Sequence, residues 1–176
     1  MVETQGVAYA AIIVKDMQES LDFYQRLGLR LLYLEPNRDD PESVVAVLAA
    51  GEGTSMLQLV GPTHAGVKIA DATLGVGSMQ YLALQVSREQ MLGMFHELSR
   101  SGVHGSEEIT RGYERMVFLE DPNGVLVTLV AWETEPPPEM PRAVVLERAG
   151  RIRDAEGAPF IEDAHVRQAI AELRQG

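Results

Sequence analysis

The chain carries four histidines and no cysteine. Disulfides, thiolate nucleophiles and cysteine-based zinc sites are therefore excluded. His64 lies in a stretch without periodicity, His96 on a helical pattern, His104 in a loop and His165 in the C-terminal tail. Only His104 has carboxylates close by in sequence, Glu107 and Glu108 in "HGSEE", with which it could share an ion. That glycine-containing, charged stretch reads as a solvated loop. No Gly-x-Ser-x-Gly elbow or dinucleotide fingerprint is present. The glycines of "AGEG" are followed by no helix that could aim its amides at a phosphate.

The informative candidates are neutral. Thr128 is the single polar side chain in the run "VLVTLVAW". Such a hydroxyl either bonds a neighbouring strand inside the core or marks the floor of a cavity. Tyr9 and Tyr81 open two similar stretches, "YAAIIVKDMQESLDFYQRLG" and "YLALQVSREQMLGMFHELSRSG". A buried tyrosine packs its ring and keeps its hydroxyl at a rim. It becomes a general acid only when its pKa is shifted, and the neighbouring repeat positions are aliphatic or amide. Arg111, Glu114 and Arg115 precede the strand-like "MVFLE". An arginine there could take a ligand carboxylate, or the group could be an exposed hairpin end.

The two similar stretches define the elements that must position these residues. Each has about six residues with strand alternation, then an N-cap, a helix and a terminating glycine. Asp16 with Glu19, and Ser87 with Gln90, have capping-box spacing. Met17, Leu21 and Tyr24 form one helical stripe; Met91, Phe95 and Leu98 form the other. His96 takes the repeat position of Tyr24, on the helix surface. Gly28 and Gly102 suit the left-handed cap.

Strand patterns follow each helix. In the first copy they are "LRLLYLE", "SVVAVLAAG" and "SMLQLVG", with "GEG" as a hairpin turn. In the second, "RMVFLE" and "VLVTLVAW" flank a "DPNG" turn, while "VHGSEEIT" reads as a loop. Each copy is thus strand, helix and about three strands. One copy alone cannot cover both faces of its sheet, so the two are expected to pair. The stretch "PTHAGVKIADATLGVGSM" is the crossover, "ETEPPPEMPR" a proline-rich linker, and Asp163 a candidate cap for a terminal helix with Val166, Ile170 and Leu173 on its apolar stripe.

The chain has 176 residues and a net charge of −11. That length suits one sizeable domain. The acidity works against nucleic-acid backbones and anionic membranes as partners. No run approaches the roughly 18 apolar residues of a membrane span, and no secretory signal pattern is visible. The expected location is cytoplasmic.

With "VKD…SLDFY…LG" upstream and "FLEDPNGVLVTLV" downstream, the sequence resembles the vicinal oxygen chelate superfamily, which includes glyoxalases, extradiol dioxygenases, and fosfomycin- and bleomycin-resistance proteins. The resemblance covers roughly residues 6 to 132. It implies an α+β fold in which two paired βαβββ modules, about 6–60 and 78–132, form a curved mixed sheet around a cleft. A proline-rich linker and a helical extension follow at 133–176. Metal-dependent members hold an ion on one side chain from each of four strands. The matching positions here are Tyr9, Gln58, Tyr81 and Thr128. None is a histidine or carboxylate, and neutral amides, hydroxyls and protonated phenols are poor ligands for divalent transition metals. The resemblance therefore implies a metal-free, cofactor-free cleft.

Alternation would put Ala11, Ile13, Met56, Ala83, Gln85, Leu126 and Val130 on the same face as those four residues. An apolar surface with a few hydrogen-bonding groups is the ordinary make-up of a small-molecule pocket. The expected ligand-binding residues are Tyr9, Met56, Gln58, Tyr81, Gln85, Arg115, Thr128 and Trp132. The expected function is to sequester or carry an apolar or aromatic small molecule as a homodimer, like the metal-free bleomycin-resistance type. The alternative is a lyase, isomerase or dioxygenase of the same superfamily that uses a relocated metal or tyrosine acid–base chemistry.

Overall fold

A computed structural model describes residues 7–51, 55–64, 78–100 and 102–175. Its elements run β1 (Ala10–Ile13), α1 (Met17–Arg26), β2 (Arg30–Pro36), β3 (Ser43–Ala50), β4 (Ser55–Pro62), β5 (Leu82–Gln85), α2 (Arg88–Arg100), β6 (Ile109–Arg111), β7 (Glu114–Glu120), β8 (Leu126–Trp132), α3 (Arg142–Glu156) and α4 (Asp163–Leu173). They form two four-stranded mixed sheets, ordered β1-β4-β3-β2 and β5-β8-β7-β6. The same strand order in both sheets is the fold expected from two βαβββ modules. Most of the "GEG" turn, most of the crossover, and the side chains of Phe95 and His96 lie outside the described residues.

The start signals read from sequence operate as hydrogen bonds. The Asp16 carboxylate accepts from the Glu19 amide at 2.9 Å. Ser87 and Gln90 close a reciprocal box: Ser87 Oγ accepts from the Gln90 amide at 3.1 Å, and Gln90 Oε1 accepts from the Ser87 amide at 2.8 Å. Gly28 and Gly102 follow their helices at φ of 87° and 74°, a region that a side chain would strain.

The structure has two compact units. The first runs to Leu82 and includes residues 120–126. In it, Ile12, Val14, Leu48, Leu57 and Leu59 are buried together with Leu21 and Tyr24 of α1. Gly61 allows the close approach of β1 and α1: a Cβ there would lie 2.8 Å from Val14 Cγ2. The "DPNG" turn belongs to this unit. Asn123 Oδ1 accepts from the Lys15 amide, and Asn123 Nδ2 donates to Ser20 Oγ. Tyr24 donates its hydroxyl proton to Asp121 at 3.0 Å.

The second unit spans Ala83–Leu119 and Val127–Gly176. Three differences from the sequence reading occur there. The loop-like "VHGSEEIT" ends in the short edge strand β6, and Gly105 forms an isolated bridge to Leu119. The tail holds two helices rather than one. The unread α3 buries Val145, Ala149 and Ile152, leaves Val144 exposed and has no side-chain cap at its start. Glu162, not Asp163, occupies the cap position of α4, where its amide donates to His165 Nδ1 at 2.8 Å. Trp132, Val145, Ala149, Ile152, Val166, Ala169 and Ile170 form one buried cluster. Gly112, at φ of 62°, brings the β6–β7 turn against the Ile161 carbonyl; a Cβ would approach that oxygen to 2.5 Å. Among the described residues, no helix is long and apolar enough to cross a membrane.

Candidate functional site

In the first sheet, Leu57, Leu59 and Gly61 of β4 point toward α1, so Met56, Gln58 and Val60 point away from it. Residues directly opposite in neighbouring strands share a face. Register therefore builds rows across this face. One contains Ala11, Gln58, Val47 and Tyr33; the next contains Met56, Ala49 and Arg30; a third contains Ile13, Val60, Val45 and Glu35. Tyr9, just before β1, continues the parity of Ala11 and Ile13. Val45, Val47 and Ala49 at the centre are buried, while Tyr9, Ile13, Tyr33 and Met56 are 54%, 67%, 50% and 37% exposed. Small side chains thus form the middle and longer ones the rim. Gln58, half-buried, places its amide among apolar neighbours.

Three of the residues expected to bind a ligand, Tyr9, Met56 and Gln58, come together on this face. Tyr81, half-buried, precedes β5. Sequence reading missed Arg30 and Tyr33. The signal was present in "LRLLYLE", but the register shift between Leu31 and Tyr33 decides which of its residues share a face.

The second unit treats its expected site residues differently. Gln85 is exposed at the end of β5. Thr128 is wholly buried, and its hydroxyl donates to the Val117 carbonyl at 3.3 Å. It satisfies a strand from inside the core. Trp132, expected near a ligand, is instead 3% exposed in the cluster with α3 and α4, edge-on to Tyr113 and with Arg142 stacked 4.9 Å from its centre. Arg115, also expected to reach a ligand, shares the parity of Val117, which lies with Met91, Met94 and Leu98 of α2. Its guanidinium is spent on Glu133, at 2.6 Å, and on Glu108. Arg88 at the start of α2 holds the other oxygen of Glu133 at 2.6 Å. The hydrogen bond from Arg115 keeps the Glu133 carboxyl below its ordinary pKa, and the same contact raises that of Arg115. Glu114, one residue earlier, goes the other way: burial raises its pKa against the opposing charges of Arg111 and Arg142.

The four residues that the resemblance matched to metal ligands are each unsuited to hold a divalent ion. Thr128 is committed to a backbone carbonyl, and Gln58 and the two tyrosines are neutral donors. Among the described residues, no three His, Asp or Glu side chains gather closely enough to hold a metal ion. Glu108 of the "HGSEE" loop is bound to Arg115.

A family model, Glyoxalase/Bleomycin resistance protein/Dioxygenase superfamily, matches residues 6–129. Many solved structures share the fold. One is a glyoxylase/bleomycin resistance protein/dioxygenase domain from Frankia, 15% identical, with a TM-score of 0.61 over 74% of this chain and 94% of that one. A glyoxalase family protein from Bacillus cereus is 16% identical, with a TM-score of 0.57 over 74% and 96%. The fosfomycin resistance protein FosX of Listeria monocytogenes is 18% identical, with a TM-score of 0.55 over 72% and 92%. No curated protein matches the sequence.

Proposed function

This chain belongs to the glyoxalase/bleomycin resistance protein/dioxygenase superfamily, and we propose that it binds a small apolar or aromatic molecule, without a metal, on the face of the first sheet turned away from α1. One observation carries the reading. The row Ala11, Gln58, Val47 and Tyr33 sets one amide and one phenol in an apolar floor with an exposed rim. Such a surface gives a ligand area through Val, Ala and Met, and orientation through Gln58. The unsuitable donor set at the metal positions supports binding that needs no ion.

The test uses the uncharged fluorophore N-phenyl-1-naphthylamine on protein dialysed against EDTA. Binding is expected to survive dialysis. Ala11→Trp, at an exposed position beside Gln58, should weaken it about tenfold or more by filling the row, a loss of roughly 1.4 kcal/mol. Unchanged affinity in a folded Ala11→Trp variant would rule the face out.

We also propose a homodimer. The edge strand β2 leaves Leu32 and Leu34 40% and 52% exposed, apolar surface that an isolated edge seldom keeps. Equilibrium sedimentation should give twice the chain mass; a monomer at micromolar concentration would contradict it.

A further inference from the structure

We propose that the molecule bound on this face carries an anionic group, a carboxylate or sulfonate, and that Arg30 holds it. The inference rests on the binding reading above and adds the ligand's charge and direction. Arg30 lies opposite Ala49, which lies opposite Met56, so its side chain starts from the same face as Gln58 and Tyr33. The bulge puts it there. An unbroken strand would send Arg30 and Tyr33 to opposite faces, because residues three apart differ in parity.

Arg30 is exposed and makes no ion pair among the described residues. The chain has a net charge of −11. Most of its other described arginines are paired, as Arg88, Arg115, Arg142 and Arg148 are. Glu35, the acidic residue on the same face, sits at the other end of the strand and approaches Arg38 at 4.0 Å. The face is therefore polarised along β2, positive at Arg30 and negative at Glu35. Arg30 is two strands from β4, roughly 10 Å, and one row from Gln58, roughly 7 Å. An aromatic ring system lying over Val47 and Ala49 would span that gap, with its anion at Arg30. The guanidinium fork suits a planar or tetrahedral oxyanion.

The experiment compares two probes with the same rings. 1-Anilinonaphthalene-8-sulfonate carries the anion; N-phenyl-1-naphthylamine does not. In Arg30→Gln the sulfonate should bind about tenfold more weakly or worse, as for a lost charge-assisted bond. The neutral probe should change less than about twofold, within the small effect of an exposed substitution. Arg30→Lys should recover part of the sulfonate affinity. Added salt should weaken sulfonate binding in the parent and much less in Arg30→Gln. If Ala11→Trp abolishes both probes but Arg30→Gln leaves their affinity ratio unchanged, the anion assignment fails and the binding face stands. If neither probe binds the parent, or Ala11→Trp affects neither, both proposals fall.

Discussion

Trp132→Ala is expected to lower stability by about 3–5 kcal/mol, the range for removing a buried tryptophan. Three contacts would go at once. The ring is 3% exposed and belongs to the buried cluster with Val145, Ala149, Ile152, Val166, Ala169 and Ile170. It meets Tyr113 edge-on, with ring centres 5.0 Å apart. It also receives the Arg142 guanidinium on its face, a contact of a type that contributes on the order of 1 kcal/mol. Most of the anchored surface belongs to α3 and α4, so the loss should appear first in them. Urea unfolding followed by circular dichroism at 222 nm should show an early transition, or loss of helical signal before unfolding. Trp132→Phe keeps a ring beside Tyr113 and should lose less. A cost below about 1 kcal/mol for the alanine variant, the scale of a surface change, would mean that the extension is held by something other than this cluster.

Asp121→Ala should be comparably damaging, for a different reason. The carboxylate is 3% exposed and accepts four hydrogen bonds. Oδ1 takes the amides of Asn123 and Val125, both at 2.8 Å, and Oδ2 takes the Tyr24 hydroxyl at 3.0 Å and Asn123 Nδ2 at 3.1 Å. Alanine would leave these donors without their acceptor. At about 1–3 kcal/mol for each one left buried, a total of roughly 3–5 kcal/mol is expected, since some will reach water. Asp121→Asn keeps one acceptor but turns a donor toward one side, and should fall between.

The same contact gives a pH dependence with a definite sign. Burial first, then the Asp121 charge and hydrogen bond, raise the Tyr24 phenol well above its ordinary value. The unfolded chain therefore releases this proton near pH ~10 while the folded chain keeps it. The contribution is intact below that pH and is lost as pH rises above it. Tyr24→Phe should cost stability at neutral pH yet flatten the decline between about pH 10 and 12. An equally steep alkaline decline in the variant would assign it to other groups.

Much of the scaffold was legible because its signals are local. A cap such as Ser87–Gln90 needs only residues three apart, and a left-handed glycine such as Gly28 only its own backbone. The period of two in "VLVTLVAW" and the "DPNG" turn are equally local, which is why both modules could be read from one sequence. The helix α3 was not legible. Its buried face is covered by Trp132 and by α4, which lie outside it in sequence, and no side-chain cap marks its start.

The site shows the same division. By itself the sequence determined that Tyr9, Gln58, Tyr81 and Thr128, the positions that the resemblance matched to metal ligands, carry no histidine or carboxylate. It also determined that the Met56–Gln58–Val60 edge alternates as a strand must. Only the tertiary structure decided how each side chain is used. Thr128 gives its hydroxyl to Val117, and Arg115 turns to Glu133, because the partner atoms come from other parts of the chain. Arg30 joins Tyr33 and Gln58 on one face because β2 slips by one residue against β3 between Leu31 and Tyr33. A strand's faces follow from its own alternation, but a bulge is a property of the pair, and it exists only once the two strands have met.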